Sequence, residues 1–264
     1  MMKITFLGQS GLVVEASGTW LLIDPYLSDL LNGFSGGFWR RAYPVPAPVT
    51  DYVGAQAVIA THEHEDHMDP LTLAPLLAAS PETILLVPSA ARSKISWPLP
   101  SSQLDLMRGE LELFRFGPFT VTSLPAAHSV NYTLETTSED GHRWCGVLVE
   151  ADGVRLLHTG DTVDFAGYAD TVGRVDVACV PINGRGREAA NIVGNFEPSE
   201  AADFCRRIGA RAALALHWDL FPANPGDPEA FAEALAGSGI AVHHGRPLYS
   251  FDVRPRQRGT DNHA

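Results

Sequence analysis

The densest group of reactive side chains is Thr61-His62-Glu63-His64-Glu65-Asp66-His67, an H-x-H-x-D-H cluster. Neutral imidazole nitrogens and carboxylate oxygens are the donors that divalent transition metals take. Side chains alternate along an extended segment, so His62 and His64 fall on one side of it. Asp66 and His67 follow where the chain is expected to turn into a helix. One short loop can then serve two neighbouring cations. Without a cation, this run of imidazoles and acids would be an awkward solvated patch. Three more ligand-type residues stand apart in sequence: His128 in LPAAHSVNY, Asp161 in LLHTGDT and His217 in ALALHWD. Each lies just past an expected strand, so all can gather along one sheet edge. Asp24, in LLIDPYLSD, ends another strand.

The elements that must position these residues are readable from periodicity and punctuation. Short strands are expected over 4–7, 12–16 and 20–23, broken by Gly8, Gly11 and Gly18. A strand over 57–60 runs into the cluster. Asp69-Pro70 then offers a cap and a first-turn proline for a helix through Leu77. Strands are expected over 83–87, across 111–124, and over 144–149 and 154–158 as a hairpin about Ala151-Asp152-Gly153. A buried strand over 175–182 precedes a helix over 198–208, with Gly209 at its C-terminal cap. A strand over 212–216 leads into His217, Asp227-Pro228 starts another helix, and strands over 240–253 close the domain. Residues 28–50 have no period and are rich in Gly, Pro and aromatics, including Phe34, Phe38, Trp39 and Tyr43. They read as one long irregular loop, a lid or an interface. The expectation is one domain over 1–253 and a polar tail over 254–264.

Composition narrows the partners. The 264 residues carry a formal net charge of −12, which disfavours nucleic-acid phosphates and acidic membranes. Cys145, Cys179 and Cys205 form no CxxC pair and sit among apolar residues, so they read as core, not as disulfides or a zinc ribbon. There is no signal-peptide pattern at the N-terminus and no apolar run of membrane-spanning length. A cytoplasmic protein with a small-molecule substrate, no nucleic-acid or membrane partner and possible homo-oligomerisation is the expectation.

The order Asp24, H-x-H-x-D-H, His128, Asp161, His217 resembles the motifs of the metallo-β-lactamase superfamily. LLIDPYLSD, VPINGRGREAANIVGNFEPSEAADF and ALHWDLFPANPGDPEAF resemble its UlaG-like branch, named for L-ascorbate-6-phosphate lactonase. The resemblance implies an α/β fold, a four-layer αββα sandwich with two divalent ions at one edge. It implies His62, His64 and His128 around one ion, Asp66, His67 and His217 around the other, and Asp161 between them. It implies that Asp24 orients a ligand histidine and that His158 is a neighbour, not a ligand. Zinc is the superfamily default and the UlaG-like branch favours manganese. A metal-bound hydroxide would attack the substrate, with Asp66 or Asp161 steering the proton to the leaving group.

For the substrate, Arg40, Arg41, Arg185 and Arg187 are candidates to grip an anionic group, and surface ion pairs are their alternative. Asn183, Trp218 and Tyr132 are further candidates to line the site. The expected activity is hydrolysis of a small anionic ester or lactone. A phosphodiesterase acting on a nucleotide-type substrate and a non-catalytic binding protein on the same fold are the alternatives.

Overall fold

The computed structural model describes residues 1–137 and 139–256, with the side chain of Phe34 outside that description. Its first strands are β1 (Met2–Gly8), β2 (Gly11–Ala16), β3 (Thr19–Ile23), β4 (Ala57–Ile59), β5 (Ile84–Pro88) and β6 (Leu104–Met107). Then come β7 (Leu113–Phe116), β8 (Phe119–Pro125), β9 (Thr136–Thr137), β10 (Gly141–His142), β11 (Cys145–Ala151) and β12 (Val154–His158). The last are β13 (Val177–Pro181), β14 (Ala212–Leu216), β15 (Ala241–His243) and β16 (Ser250–Val253). The helices are α1 (Leu30–Phe34), α2 (Pro70–Ala79), α3 (Tyr168–Val172), α4 (Pro198–Arg207) and α5 (Pro228–Leu235).

Two seven-stranded sheets form, ordered β16-β1-β2-β3-β4-β5-β6 and β15-β14-β13-β12-β11-β8-β7. β9 and β10 pair separately. In both sheets antiparallel pairs at one side give way to parallel pairs at the other. The two sheets thus share a topology.

Side-chain alternation makes the layers. Ile4, Phe6, Leu12, Val14, Leu21, Ile23 and Ile59 of the first sheet face Val147, Val149, Leu156, Val177, Cys179 and Leu214 of the second. The intervening residues point outward. Val13, Leu22, Val58 and Leu85 pack with Leu73, Leu76 and Leu77 of α2. Leu148, Leu157, Ala178, Val180 and Ala213 pack with residues of α3, α4 and α5. The expected helix–sheet–sheet–helix sandwich results. Strands buried on both faces lose the polar half of the alternation, hence the nearly continuous apolar run over 177–182. All three cysteines are buried and free, as expected of core residues.

The helix ends follow their caps. Asp69 accepts a hydrogen bond from the Leu71 N–H with Pro70 at the first position of α2, and Glu197 and Glu200 form a reciprocal capping box on α4. Gly209 takes the left-handed φ of +59° after α4. The closing strands expected over 240–253 form, β15 joining the second sheet and β16 the first. Two expectations need correction. The 28–50 loop contains α1 and begins a 3-10 turn at Val49. Arg256, assigned to the tail, docks on the body through its Nε donation to Asp176 Oδ1 (2.9 Å). Residues 257–264 lie outside the described residues. No helix among the described residues is long and apolar enough to cross a membrane.

Candidate metal centre

Strand direction brings the ligand-type residues together. β3 and β4 run parallel, so Asp24 and the 61–67 segment leave the first sheet at one edge. β8 is antiparallel to β11, and β11 to β12, so β8 and β12 run the same way. β13 and β14 continue parallel to β12. His128, Asp161, Asn183 and His217 therefore all emerge at the carboxyl ends of second-sheet strands. The two edges are joined where the Cys145 N–H donates to the Thr61 carbonyl (3.1 Å). Gly160, at φ +62°, allows that closeness: a Cβ there would lie 2.3 Å from the Cys145 carbonyl oxygen.

Donor atoms converge in three groups, each within 4.8 Å: His62, His64 and His128; His62, His67 and Asp161; and Asp66, His67 and His217. Asp161 reaches the outer two groups. Its Oδ2 is 3.6 Å from His128 Nε2 and 3.2 Å from His217 Nε2, and its Oδ1 is 3.5 Å from His67 Nε2. His62 Nε2 and His64 Nδ1 approach to 2.9 Å. His67 Nε2 and Asp161 Oδ1 are buried without a hydrogen-bond partner. Converging imidazoles and an orphaned carboxylate oxygen are costly by themselves. Divalent cations satisfy them, so the donor set fits the metals implied by the sequence.

Asp24 supports this set from behind. His67 Nδ1 lies 2.7 Å from Asp24 Oδ2, and both side chains are fully buried. The Thr61 N–H and hydroxyl each donate to Asp24 at 2.7 Å. With Nδ1 held by the carboxylate, His67 presents Nε2 to the centre. His158 is turned away: its Nε2 meets the Ser10 carbonyl at 2.9 Å and its Nδ1 accepts from the Gly160 N–H at 3.1 Å. This is a satisfied buried histidine, and burial lowers its pKa.

Without a cation the centre divides its charge among protons. Burial lowers His62 well below the usual histidine range, reinforced by His67 and His64. Burial takes His128 down to about 3, against the pull of Asp161. Burial also opposes charge on His67 and His217, but the carboxylates win. Asp161, Asp66 and Asp24 raise His67 to about 9, while Asp161 and Asp66 raise His217 to about 10. Burial works against ionising Asp66 and Asp161, yet His67 and His217 hold both below the usual carboxylate range. Protons on His67 and His217 are what entering cations would displace.

Above the centre is a cavity of about 230 Å³, lined by Leu31, Trp39, Ile192, Val193, Phe221 and Asn224 together with the ligand-type residues and Glu65 and Asn191. The 28–50 loop supplies Leu31 and Trp39. Trp39 stands edge-on to Phe221 at 5.3 Å. Tyr43 latches the loop by donating to Asp219 Oδ2 (2.7 Å). Its hydroxyl sits against Gly8, where a Cβ would lie only 2.2 Å away.

The substrate candidates fare less well. Arg185 donates to Glu200 (2.6 Å) and lies over the Tyr132 ring. Arg187 donates to the Asn183 carbonyl, and Arg41 to the Tyr26 and Ser28 carbonyls. Arg40 is exposed and lines a separate hollow with Asp29, Asn32 and Tyr43. Tyr132 donates to Glu188 and braces the 185–194 loop. Trp218 packs against the apolar cluster beneath α4 and α5, away from the cavity. Asn183 is buried behind Asn224, to which its Nδ2 donates at 3.1 Å. None of these side chains lines the cavity.

Gln9, not singled out from the sequence, is 2 % exposed and donates through Nε2 to Asp66 Oδ2 (2.8 Å). Its N–H donates to Asp219 and its carbonyl accepts from the His217 N–H. Its place between Gly8 and Gly11, just past a strand, was the available signal. Gln9, Asp24 and His217 all occupy left-handed backbone, with φ of +56°, +46° and +57°.

Comparison with known proteins agrees with this geometry. Residues 19–218 match a family model described as "Beta-lactamase superfamily domain". A UPF0173 metal-dependent hydrolase of Thermococcus kodakarensis is 28% identical over 251 residues, covering 92% of this chain and 96% of that protein. An N-acyl-phosphatidylethanolamine-hydrolyzing phospholipase D of Caenorhabditis elegans is 26% identical over 83% of this chain and 64% of its own length. Among solved structures, a possible metal-dependent hydrolase of Veillonella parvula superposes with a TM-score of 0.72 at 18% identity, covering 96% of this chain and 100% of that one.

Proposed function

The chain belongs to the metallo-β-lactamase superfamily and is a metal-dependent hydrolase, and we propose that it uses two divalent ions, zinc or manganese, to hydrolyse a small ester or lactone. His62, His64 and His128 would hold one ion, and Asp66, His67 and His217 the other, with Asp161 between them. The observation that carries this reading is the convergence of those donors in overlapping groups within 4.8 Å. When bound, such ions lower the pKa of water and polarise the oxygen of the group under attack.

The protein's own residues set the geometry. Asp24 holds the Nδ1 side of His67, so His67 cannot rotate out of the centre. Gln9 fixes one oxygen of Asp66, and Asp66 lines the cavity. Its side chain is 14% exposed against 3% for Asp161. We therefore assign delivery of the proton to the leaving group to Asp66. Asp161, enclosed by His67, His128 and His217, has the positioning role. The apolar wall of Leu31, Trp39 and Phe221 excludes water from the arm of the substrate.

The UlaG-like branch remains part of this reading, on the segments around Asn183 and His217. The arginines give no support to an anionic substrate, since those beside the 183–194 loop are engaged elsewhere. A second reading, phosphodiester hydrolysis, is favoured by the name of the Caenorhabditis elegans relative.

Elemental analysis by inductively coupled plasma mass spectrometry tests the proposal. Near two zinc or manganese ions per chain are expected, with fewer in Asp161→Ala and His64→Ala. No metal in the parent protein, even after refilling, overturns it. Screening the loaded protein against esters, lactones and phosphodiesters separates the two readings.

A further inference from the structure

We infer that the substrate of this centre is an uncharged acyl compound whose apolar arm lies along Leu31, Trp39, Ile192, Val193 and Phe221 and whose acceptor oxygen is held by the Asn224 amide. The inference rests on the hydrolase reading above and adds the chemical class of the substrate.

The cavity wall supplies the first argument. Beyond the ligand-type residues, its lining is apolar apart from Asn191, Asn224 and Glu65, and no lysine or arginine contributes among the described residues. A phosphate or carboxylate on the arm, away from the ligand-type residues, would lose its water with no lysine or arginine to meet it. Glu65 is exposed at the rim, and the whole chain carries a formal charge of −12. Both repel anions. Arg185 and Arg187 stand behind the wall, held by Glu200 and by the Asn183 carbonyl. Lys94 and Arg143 lie in another hollow, beyond His64 and Glu65, and Arg143 is paired with Glu63 at 2.8 Å.

A chain of amides supplies the second. Asn195 Nδ2 donates to Asn183 Oδ1 at 2.9 Å, and Asn183 Nδ2 donates to Asn224 Oδ1 at 3.1 Å. Asn195, Asn183 and Asn224 are 0%, 3% and 5% exposed. Because the Asn224 oxygen is taken from behind, its Nδ2 is left to donate. Asn224 lines the cavity. A neutral donor fixed in this way suits a carbonyl or ether oxygen, and costs less to bury than a cation would. The volume of about 230 Å³ falls below the roughly 300–1,000 Å³ of pockets for drug-sized ligands, so the compound is small.

Butyranilide and succinanilate test this assignment, because they share the anilide and the arm length and differ in a terminal carboxylate. Isothermal titration calorimetry on the metal-loaded protein should show butyranilide binding at least tenfold more tightly. Asn224→Ala should weaken butyranilide about tenfold, and Ile192→Lys should move the preference toward succinanilate. Equal or tighter binding of succinanilate by the parent protein overturns the inference, as does failure of butyranilide to bind. The parent protein decides the matter even where a variant does not fold. Turnover of phenyl butyrate and monophenyl succinate is then measured separately. Hydrolysis of neither, with the anilide preference intact, sinks the ester-hydrolase reading and leaves the pocket assignment standing.

Discussion

Gln9 shows how one side chain controls a centre to which it need not bind. Its amide restrains Asp66, while its backbone joins Asp219 to His217. Gln9→Ala leaves the Asp66 carboxylate free to rotate and removes a part-buried hydrogen bond to a charged group, worth about 1.5 kcal/mol. Metal titration should show one of two sites weakened about tenfold or more, with the other unchanged. Uniform weakening of both, or of neither, would argue against this role. That His62, His64, Asp66, His67, His128, Asp161 and His217 would lie together could be expected from sequence, because four of them crowd one short segment and the other three each follow a strand. Gln9 could not be placed with them, because its partner His217 is 208 residues away. Asn224 escaped for a related reason, since its orientation is set by Asn183 and Asn195 on another loop. The arginines misled because sequence shows charge but not its partner: Glu200 claims Arg185 only once the 183–197 loop is folded onto α4.

At the scale of elements, the 28–50 loop is shaped by its anchors. Tyr26, Leu220 and Phe221 form a small buried cluster with Leu30, Leu31, Trp39 and Tyr43 packed on it. Arg41 lies 5.0 Å from the centre of the Tyr26 ring and 5.5 Å from that of Tyr43. Tyr43→Phe removes the bond to Asp219 and leaves a half-buried carboxylate short of a donor, a loss of about 1 kcal/mol. Limited proteolysis should then cut residues 33–40 faster than in the parent, while cleavage elsewhere stays the same. The strands were read from alternation and apolar runs, and the helices α2, α4 and α5 from their caps. β6 and α3 were missed because they are short and carry little period. The loop lacked a period because its anchors are contacts with Asp219, Leu220 and Phe221, and its own hydrogen bonds are isolated turns and side-chain bonds without a repeat.

At the scale of the molecule, the centre joins the two sheets. Asp24, His62, His64, Asp66 and His67 follow strands of the first sheet, and His128, Asp161 and His217 follow strands of the second. Cations bound there stabilise the packed sheets against separation. A free concentration 100-fold above Kd adds about 2.7 kcal/mol, about 5–10 degrees in Tm for a chain of this length. Chelation should lower Tm by that order, and refilling should restore it, as differential scanning calorimetry will show. An unchanged Tm would mean that the ions bind the folded and unfolded chains alike.

The last strand pairs with the first, Met2 opposite Val253. The amino group of Met1 reaches Asp152 at 3.2 Å, and Pro255 lies against Gly153 of the same turn. Beginning and end of the described chain therefore meet at one point, away from the candidate metal centre. The polypeptide is close to a ring. Bridging residues 2 and 253 with a short linker and opening the exposed turn at Gly237–Gly239 would give a circular permutant with every ladder intact. It should keep the parent's metal stoichiometry, because what the centre requires is the arrangement of strand ends in space and not the order in which the ribosome makes them.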